Sequence, residues 1–107
     1  MAPKPDKKPT AVVTTWALHD PMQKDHIASV YRRVHEILAT GGIFINGDFV
    51  KPESSTFPYE GGRIMPSEHL ELLSAAGFNN PEFLGMYEEN PDNPTMANNY
   101  AGFLVIK

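Results

Sequence analysis

The chain has 107 residues, of which 41% are hydrophobic and 21% are charged, and it contains no cysteine. This length suits one domain with one core. Nine basic against thirteen acidic residues give a net charge of −4, which excludes the clustered basic surface of a nucleic-acid-binding protein. The composition also excludes disulfides, thiolate metal sites and an apolar run long enough to span a membrane, so we expect a soluble protein of the cytoplasm.

The N-terminal part of the sequence predicts a leader followed by a strand. Residues 1–10 are rich in lysine and proline, which is typical of a disordered segment, so the domain is expected to span residues 11–107. Ala11 to Leu18 is mostly apolar and β-branched, as in a short strand buried on both faces. Asp20 and Pro21 suit the N-cap and the first turn of a following helix.

A helix and a second strand follow. Between Gln23 and Ala39 apolar residues recur every three or four positions, which predicts an amphipathic helix, and Gly41 is expected to end it in the left-handed conformation. Ile43 to Val50 is predicted to be the second strand, in which Gly47 marks a twist or a close backbone approach. A strand, a helix and a strand in this order form a right-handed βαβ unit, so the two strands should be parallel neighbours.

The C-terminal part begins with a long loop rich in proline and glycine, from Lys51 to Pro66. A second helix is predicted from its N-cap Ser67 to Ala76, with Gly77 ending it. Glu82–Glu88 and Asn99–Lys107 are predicted to be strands, and the turn-rich link between them favours an antiparallel hairpin. The expected fold is therefore an α/β half-sheet of about four strands and two main helices.

The order of these parts and two short motifs resemble the C-terminal half of a class I S-adenosylmethionine (SAM)-dependent methyltransferase. The first motif is Leu-Ala-Thr-Gly-Gly at residues 38–42, followed by the apolar stretch Ile43 to Ile45 and by Asp48. The family usually has proline where this chain has Thr40. The second motif is Ala-Ala-Gly-Phe at residues 75–78. The resemblance implies a Rossmann-like sheet and a parent enzyme that transfers a methyl group from SAM to a small-molecule acceptor.

The part of the family's domain that holds the cofactor has no counterpart in this sequence. In the family a glycine-rich loop after the first strand and an acidic residue after the second bind SAM. Here Gly41 and Gly42 lead from a helix into a strand, and Gly61 and Gly62 lie in a loop bracketed by prolines. We therefore expect the isolated chain to bind SAM poorly or not at all and to be inactive.

The end of the first strand is the candidate reaction site. The resemblance places it beside the transferred methyl group, which implies that Trp16, Ala17 and Leu18 form part of the cofactor pocket wall. It also implies that His19 could take a proton from the acceptor. The alternatives stay open: Trp16 can serve core packing, and His19 can be an ordinary turn residue next to the helix cap Asp20.

Two further candidate sites were weighed. Phe57, Tyr59 and Arg63 of the long loop are candidates for a lid over the acceptor, the alternative being a flexible connection with scattered aromatic residues. The four histidines do not show the spacing of metal ligands, and no metal site is expected.

The first strand also predicts a partner. Its counterpart in the family is central and pairs on both edges, whereas this sequence supplies a neighbour for one edge only, and open edges promote pairing. We expect a homodimer through residues 11–18, with neither a nucleic acid nor a membrane as partner. The function is then either that of a truncated methyltransferase or that of a non-catalytic, methyltransferase-derived interaction module that completes its sheet by dimerisation or with a partner chain. A third possibility is an unrelated small α/β protein.

Overall fold

The computed structural model describes residues 8–15, 24–53, 59, 63–87 and 99–107. Within these ranges the elements are β1 (Ala11–Thr15), α1 (Lys24–Ile37), β2 (Ile43–Phe49), α2 (Pro66–Ala75), β3 (Glu82–Tyr87) and β4 (Tyr100–Ile106). The expected α/β fold class is confirmed. The leader up to residue 7, the end of the predicted first strand and the predicted Asp20 cap lie outside the described residues.

The strands form one sheet in the order β1-β2-β4-β3. β1 and β2 are parallel, with Ala11 opposite Ile43, as the βαβ pattern predicted. β3 and β4 are antiparallel, which confirms the predicted hairpin. β4 also pairs antiparallel with β2, with Ile43 opposite Ile106. The last strand of the chain therefore lies between β2 and β3, and these two strands are not neighbours although they follow one another in the sequence.

Both helices pack on the same side of the sheet. The ring of Tyr31 on α1 meets Phe44 of β2 edge to face, with the ring centroids 5.8 Å apart. On α2, the ring of His69 lies 4.8 Å from the ring of Phe103 on β4. We call this side the helical face. Its buried strand residues alternate along β2 and β4: Phe44, Asn46, Asp48, Ala101, Phe103 and Val105.

The opposite side of the sheet, which we call the open face, carries the intervening residues. Pairing places Ile43 beside Ile106, Ile45 beside Leu104 and Phe49 beside Tyr100. Tyr87 of β3 lies opposite Tyr100, and the register shift between Phe83 and Gly85 turns Leu84 towards Gly102 on this side. The open face consists of Ala11, Val13, Ile43, Ile45, Gly47, Phe49, Glu82, Leu84, Tyr87, Tyr100, Gly102, Leu104 and Ile106.

The second helix begins two residues earlier than predicted. Pro66 is its first residue and Met65 is the N-cap, so the prediction of Ser67 as the cap was wrong. The Met65 N–H donates to Glu68 Oε1 at 2.9 Å. Ser67 instead donates its N–H and its hydroxyl to the carboxylate of Glu53, each at 2.7 Å. Proline suits the first helical turn, and Glu68, three residues after the cap, accepts the N–H of the N-cap residue as the glutamate of a capping box does.

The two helix ends differ in how they use glycine. Gly77, with φ +112°, directly follows the C-cap Ala76 of α2, as predicted. Gly41 has the predicted left-handed conformation, with φ +83°, but α1 ends at Ile37, so the prediction that Gly41 ends this helix was wrong. The last carbonyls of α1 are also bound by the C-terminal residue, because Lys107 Nζ donates to the carbonyls of His35 at 2.6 Å and Leu38 at 2.9 Å.

Among the residues described, neither helix has the length and apolar character that a membrane crossing demands.

Candidate functional site

The candidate site lies at the carboxyl ends of the parallel strands β1 and β2. Parallel strands end at the same edge of a sheet, and this edge is where open α/β sheets bind ligands. In β2, Asn46 and Asp48 alternate with apolar residues, and the two-residue period of a strand places both on the helical face with Phe44. β2 thus brings two polar side chains into the interior next to this edge.

A chain of hydrogen bonds joins β1, β2, α1 and α2. The Thr14 hydroxyl donates to Asn46 Oδ1 at 2.6 Å, and Asn46 Nδ2 donates to Tyr31 Oη at 2.8 Å. Tyr31 Oη lies 2.5 Å from Nδ1 of His69. When the Tyr31 hydroxyl donates to Nδ1, that hydroxyl has an acceptor, and the proton of the neutral imidazole lies on Nε2, which is buried without a hydrogen-bond partner. We call Thr14, Tyr31, Asn46 and His69 the polar core cluster.

Burial keeps the two titratable members of this cluster neutral. Tyr31 and His69 have no solvent exposure. Burial raises the pKa of Tyr31, and the nearby charge of Asp48 adds to the rise, against the opposing effect of the bond from Asn46. Burial also lowers the pKa of His69 to about 4, opposed by the charge of Glu68. Tyr31, Asn46 and His69 are therefore neutral polar residues of the domain core.

Asp48 occupies the end of β2 on the same side. It is fully buried, and its Oδ1 accepts the backbone N–H of Phe49 at 2.8 Å. Asp48 is also the acidic residue of the methyltransferase-like motif. The structure therefore places this motif residue inside the domain, next to the carboxyl edge of the sheet.

Two of the predicted lid residues meet at this edge. The guanidinium of Arg63 lies 5.1 Å from the ring centroid of Phe49 and 5.9 Å from that of Tyr59, both within the range of a cation–π contact. Phe49 in turn meets Tyr100 edge to face at 5.9 Å. Tyr59 and Arg63 are thus packed onto the end of the open face, and their role in a lid stays a prediction.

Gly47 allows one of these aromatic rings to approach the sheet closely. A Cβ atom built on Gly47 would lie 2.2 Å from the Tyr100 hydroxyl. No larger residue fits there while Tyr100 keeps its position. The sequence predicted a twist or a close backbone approach at Gly47, whereas the close approach found there is made by the side chain of Tyr100 in β4.

Asn99 links the long loop to the sheet. It is fully buried, its carbonyl accepts the Val50 N–H at 2.8 Å, and its Nδ2 lies 3.5 Å from Tyr59 Oη. Its Oδ1 is buried without a hydrogen-bond partner. Sequence reasoning did not single out Asn46, His69 or Asn99 as interior polar residues. Asn46 could have been recognised from the sequence, because it is a polar residue within an otherwise apolar strand pattern.

The remaining predicted site residues cannot be placed against this geometry. Trp16, Ala17, Leu18, His19 and Phe57 lie outside the described residues. The cofactor pocket wall and the catalytic role of His19 therefore stay predictions.

The part of the chain that the structure describes holds no group of three or more histidine or acidic side chains arranged for a metal ion. Two of the three histidines in the helices have other contacts. The ring of His35 meets Phe78 edge to face at 4.8 Å, and His69 belongs to the polar core cluster.

A separate cavity of about 390 Å³ lies between α2 and β3. Its walls are Glu53, Pro66, Ser67, Leu70, Phe83 and Met86. The carboxylate of Glu53 already accepts two hydrogen bonds from Ser67. The cavity therefore lacks the converging polar groups that orient a reacting molecule.

Several solved structures contain a region that is similar to the fold of this chain. Human N-acetylserotonin methyltransferase in complex with SAM matches 98% of this chain with a TM-score of 0.67 and 20% identity. PigF with S-adenosylhomocysteine (SAH) matches 92% with a TM-score of 0.70 and 18% identity, and the cyclase SpnF matches 100% with a TM-score of 0.67 and 19% identity. The matched regions are 31%, 30% and 52% of these three chains. No family model and no curated protein matches the sequence.

The chain therefore has the fold of the C-terminal part of a class I SAM-dependent methyltransferase, as its sequence motifs indicated. It spans between about a third and a half of the length of the structures it matches. Since one of these proteins is a cyclase, the fold by itself does not define the reaction.

Proposed function

We propose that this chain is the C-terminal half of a SAM-dependent methyltransferase domain whose parent transfers a methyl group to a small-molecule acceptor. The observation that carries the proposal is the asymmetry of the comparisons. Almost the whole chain matches proteins solved with SAM or SAH, while most of each of those two proteins lies outside the match. A half-domain is the simplest account of that asymmetry.

The chain's own residues would supply one wall of the reaction site. By the resemblance, Trp16, Ala17 and Leu18 border the cofactor, and His19 accepts a proton from the acceptor heteroatom as the methyl group is transferred. Tyr59 and Arg63, together with Phe57, would border the acceptor. SAM, when bound in the parent, supplies the methyl group.

The described residues do not form a binding site for the cofactor by themselves. The polar groups near the carboxyl edge are buried and engaged: Asn46 within the polar core cluster, and Asp48 with the Phe49 N–H. The sequence also has no glycine-rich loop between a strand and a helix that could present backbone N–H groups to the ligand. We therefore propose that the isolated chain is inactive.

Calorimetric titration of the purified chain with SAM and with SAH tests this proposal. We expect no binding heat in the micromolar range, whereas human N-acetylserotonin methyltransferase, treated in the same way, serves as the positive control. Micromolar binding by this chain would show that the cofactor site does not need a second half.

The alternative is a non-catalytic module that completes its sheet with another chain, and the edge of β1 favours it. Within the described residues β1 pairs only with β2. The Ile43 N–H donates to the Thr10 carbonyl at 3.0 Å, so in this parallel ladder the backbone groups of Ala11 and Val13 point to the outer edge. The predicted homodimer through residues 11–18 would use these groups.

The two alternatives differ in what the encoding reading frame contains upstream. A strand, a glycine-rich turn and an acidic residue roughly 20 positions further on would support the half-enzyme. A reading frame that starts at Met1 would support the module.

A further inference from the structure

The open face is a largely apolar surface of the sheet. Sheets built entirely of parallel strands occur almost only with both faces buried, and β1 and β2 are the parallel pair of this mixed sheet. Here α1 and α2 cover the helical face, while large side chains opposite them remain exposed. The exposed fractions are 64% for Val13, 55% for Ile106, 51% for Leu84 and 39% for Ile43.

Charge is confined to the border of this surface. Among the described residues, Glu82 lies at its rim, opposite Leu104, and Arg63 covers its end at Phe49. The exposed ion pair between Arg33 and Glu36 lies on α1, on the other side of the sheet. A second copy of the same surface would therefore meet no like charge at its centre, where Ile45 and Leu104 lie side by side.

The size of the open face sets the strength of such a contact. Four strands about 4.8 Å apart, with a rise of about 3.3 Å per residue, give a surface of a few hundred Å². Monomeric proteins rarely expose larger apolar patches than this. Two such surfaces together bury less than the roughly 1,200 Å² of a typical stable interface, so the association should be reversible and weak.

We propose that the isolated chain forms a two-fold dimer in which the open faces of two copies pack against each other. Two sheets packed in this way lie about 10 Å apart with their strands within about 30° of each other. The contact is isologous, because the same residues serve on both sides. The inference rests on the proposed incomplete sheet, and it places the contact on the open face, whereas the sequence predicted it on the outer edge of β1.

The test is sedimentation velocity of the purified chain from about 1 to about 200 µM. We expect the mass to rise from monomer to dimer across this range. Ile106→Lys and Leu84→Lys each place a charge on the open face and should weaken the dimer by at least roughly tenfold. If one of these two variants is unfolded by circular dichroism, the other decides.

Two matched variants serve as controls. Ala75→Lys adds the same charge at an exposed position of α2 and should change the dissociation constant by less than about twofold. Ala11→Pro removes an N–H from the outer edge at the first residue of β1, where proline is tolerated. It adds no charge at the corner of the open face, where Ala11 lies beside Ile43, and should also leave the dimer intact.

Three results would overturn the proposal: a monomer at the highest concentration, a dimer lost in Ala11→Pro but kept in the face variants, or an open-ended series of aggregates. The calorimetric experiment separates this inference from the proposed function. Cofactor binding by the chain would contradict the half-enzyme and leave the dimer standing, whereas a monomer that binds no cofactor would contradict the dimer alone.

Discussion

His69 shows how the fold changes the behaviour of a single residue. Its ring is fully buried between Tyr31 and Phe103, and the Tyr31 hydroxyl occupies Nδ1. Protonation of the ring would place a charge in the core, and Nδ1 could no longer accept the hydrogen bond from the Tyr31 hydroxyl. The fold therefore stabilises the neutral form, and the folded pKa of about 4 lies below the ordinary value of 6.5.

This difference in pKa predicts a loss of stability in acid. Between pH 6.5 and pH 4 the unfolded chain binds a proton at His69 that the folded chain does not bind, so the free energy of unfolding falls as the pH falls. The contribution of His69 should be fully present above pH 6.5, and about 3 kcal/mol of it should be lost on reaching pH 4. Urea unfolding at a series of pH values, at a protein concentration low enough to keep the chain monomeric, measures it.

The variant His69→Phe isolates this contribution. It keeps an aromatic ring beside Phe103 but has no titratable group. It should be less stable than the wild type at neutral pH, because the Tyr31 hydroxyl loses its acceptor. Its decline below pH 6.5 should nevertheless be shallower. An equal decline in both proteins would assign the acid sensitivity to other groups.

At the scale of elements, β2 and β4 fit together through Gly47. Gly47→Ala would place a Cβ atom 2.2 Å from the Tyr100 hydroxyl, so the ring must move away from β2. We expect a cost of about 1–3 kcal/mol in the free energy of unfolding, as for other overpacked sites. Urea unfolding measures the change.

Two comparisons make this prediction specific. Gly102 lies opposite Gly47, but a Cβ built there meets its nearest atoms, in Leu84, at an ordinary 3.6 Å, so Gly102→Ala should cost little. In a Tyr100→Phe background Gly47→Ala should also cost less, because the closest atom is removed, and a double-mutant cycle reports the coupling. Equal costs at both glycines would point to strand propensity rather than to the contact with Tyr100.

The elements also show which features of the fold local sequence patterns can predict. Helical periodicity and the turn residues that follow predicted the end of α1 and both ends of α2 to within two residues, because these signals act within a few turns of chain. The cap of α2 was wrong because Glu53, a residue distant in sequence, takes the hydrogen bonds of Ser67. Asn46 and His69 were missed for the same reason: the bonds that make them interior residues cross from one element to another.

For the whole molecule, a reversible dimer makes thermal stability depend on concentration. Association stabilises the folded state by mass action, so the Tm should rise by several degrees between about 5 and about 200 µM chain. Differential scanning calorimetry at the two concentrations measures the shift, and Ile106→Lys should abolish it. A Tm that is independent of concentration in the wild type would contradict the dimer.

The sequence by itself determined the kind of elements, their order, the parallel βαβ pair, the terminal hairpin and the resemblance to half of a methyltransferase domain. These follow from residue periodicity, from turn residues and from the handedness of crossover connections, all of which depend on short segments of the sequence.

Only the tertiary structure decided that β4 inserts between β2 and β3, that both helices pack on one side, and that Ile43, Leu84 and Ile106 remain exposed on the other. Strand order and sheet cover depend on which distant surfaces meet. Neither is encoded in any one segment. Within the described residues, α1 and α2 cover one side of this small sheet, and large apolar side chains remain exposed on the other.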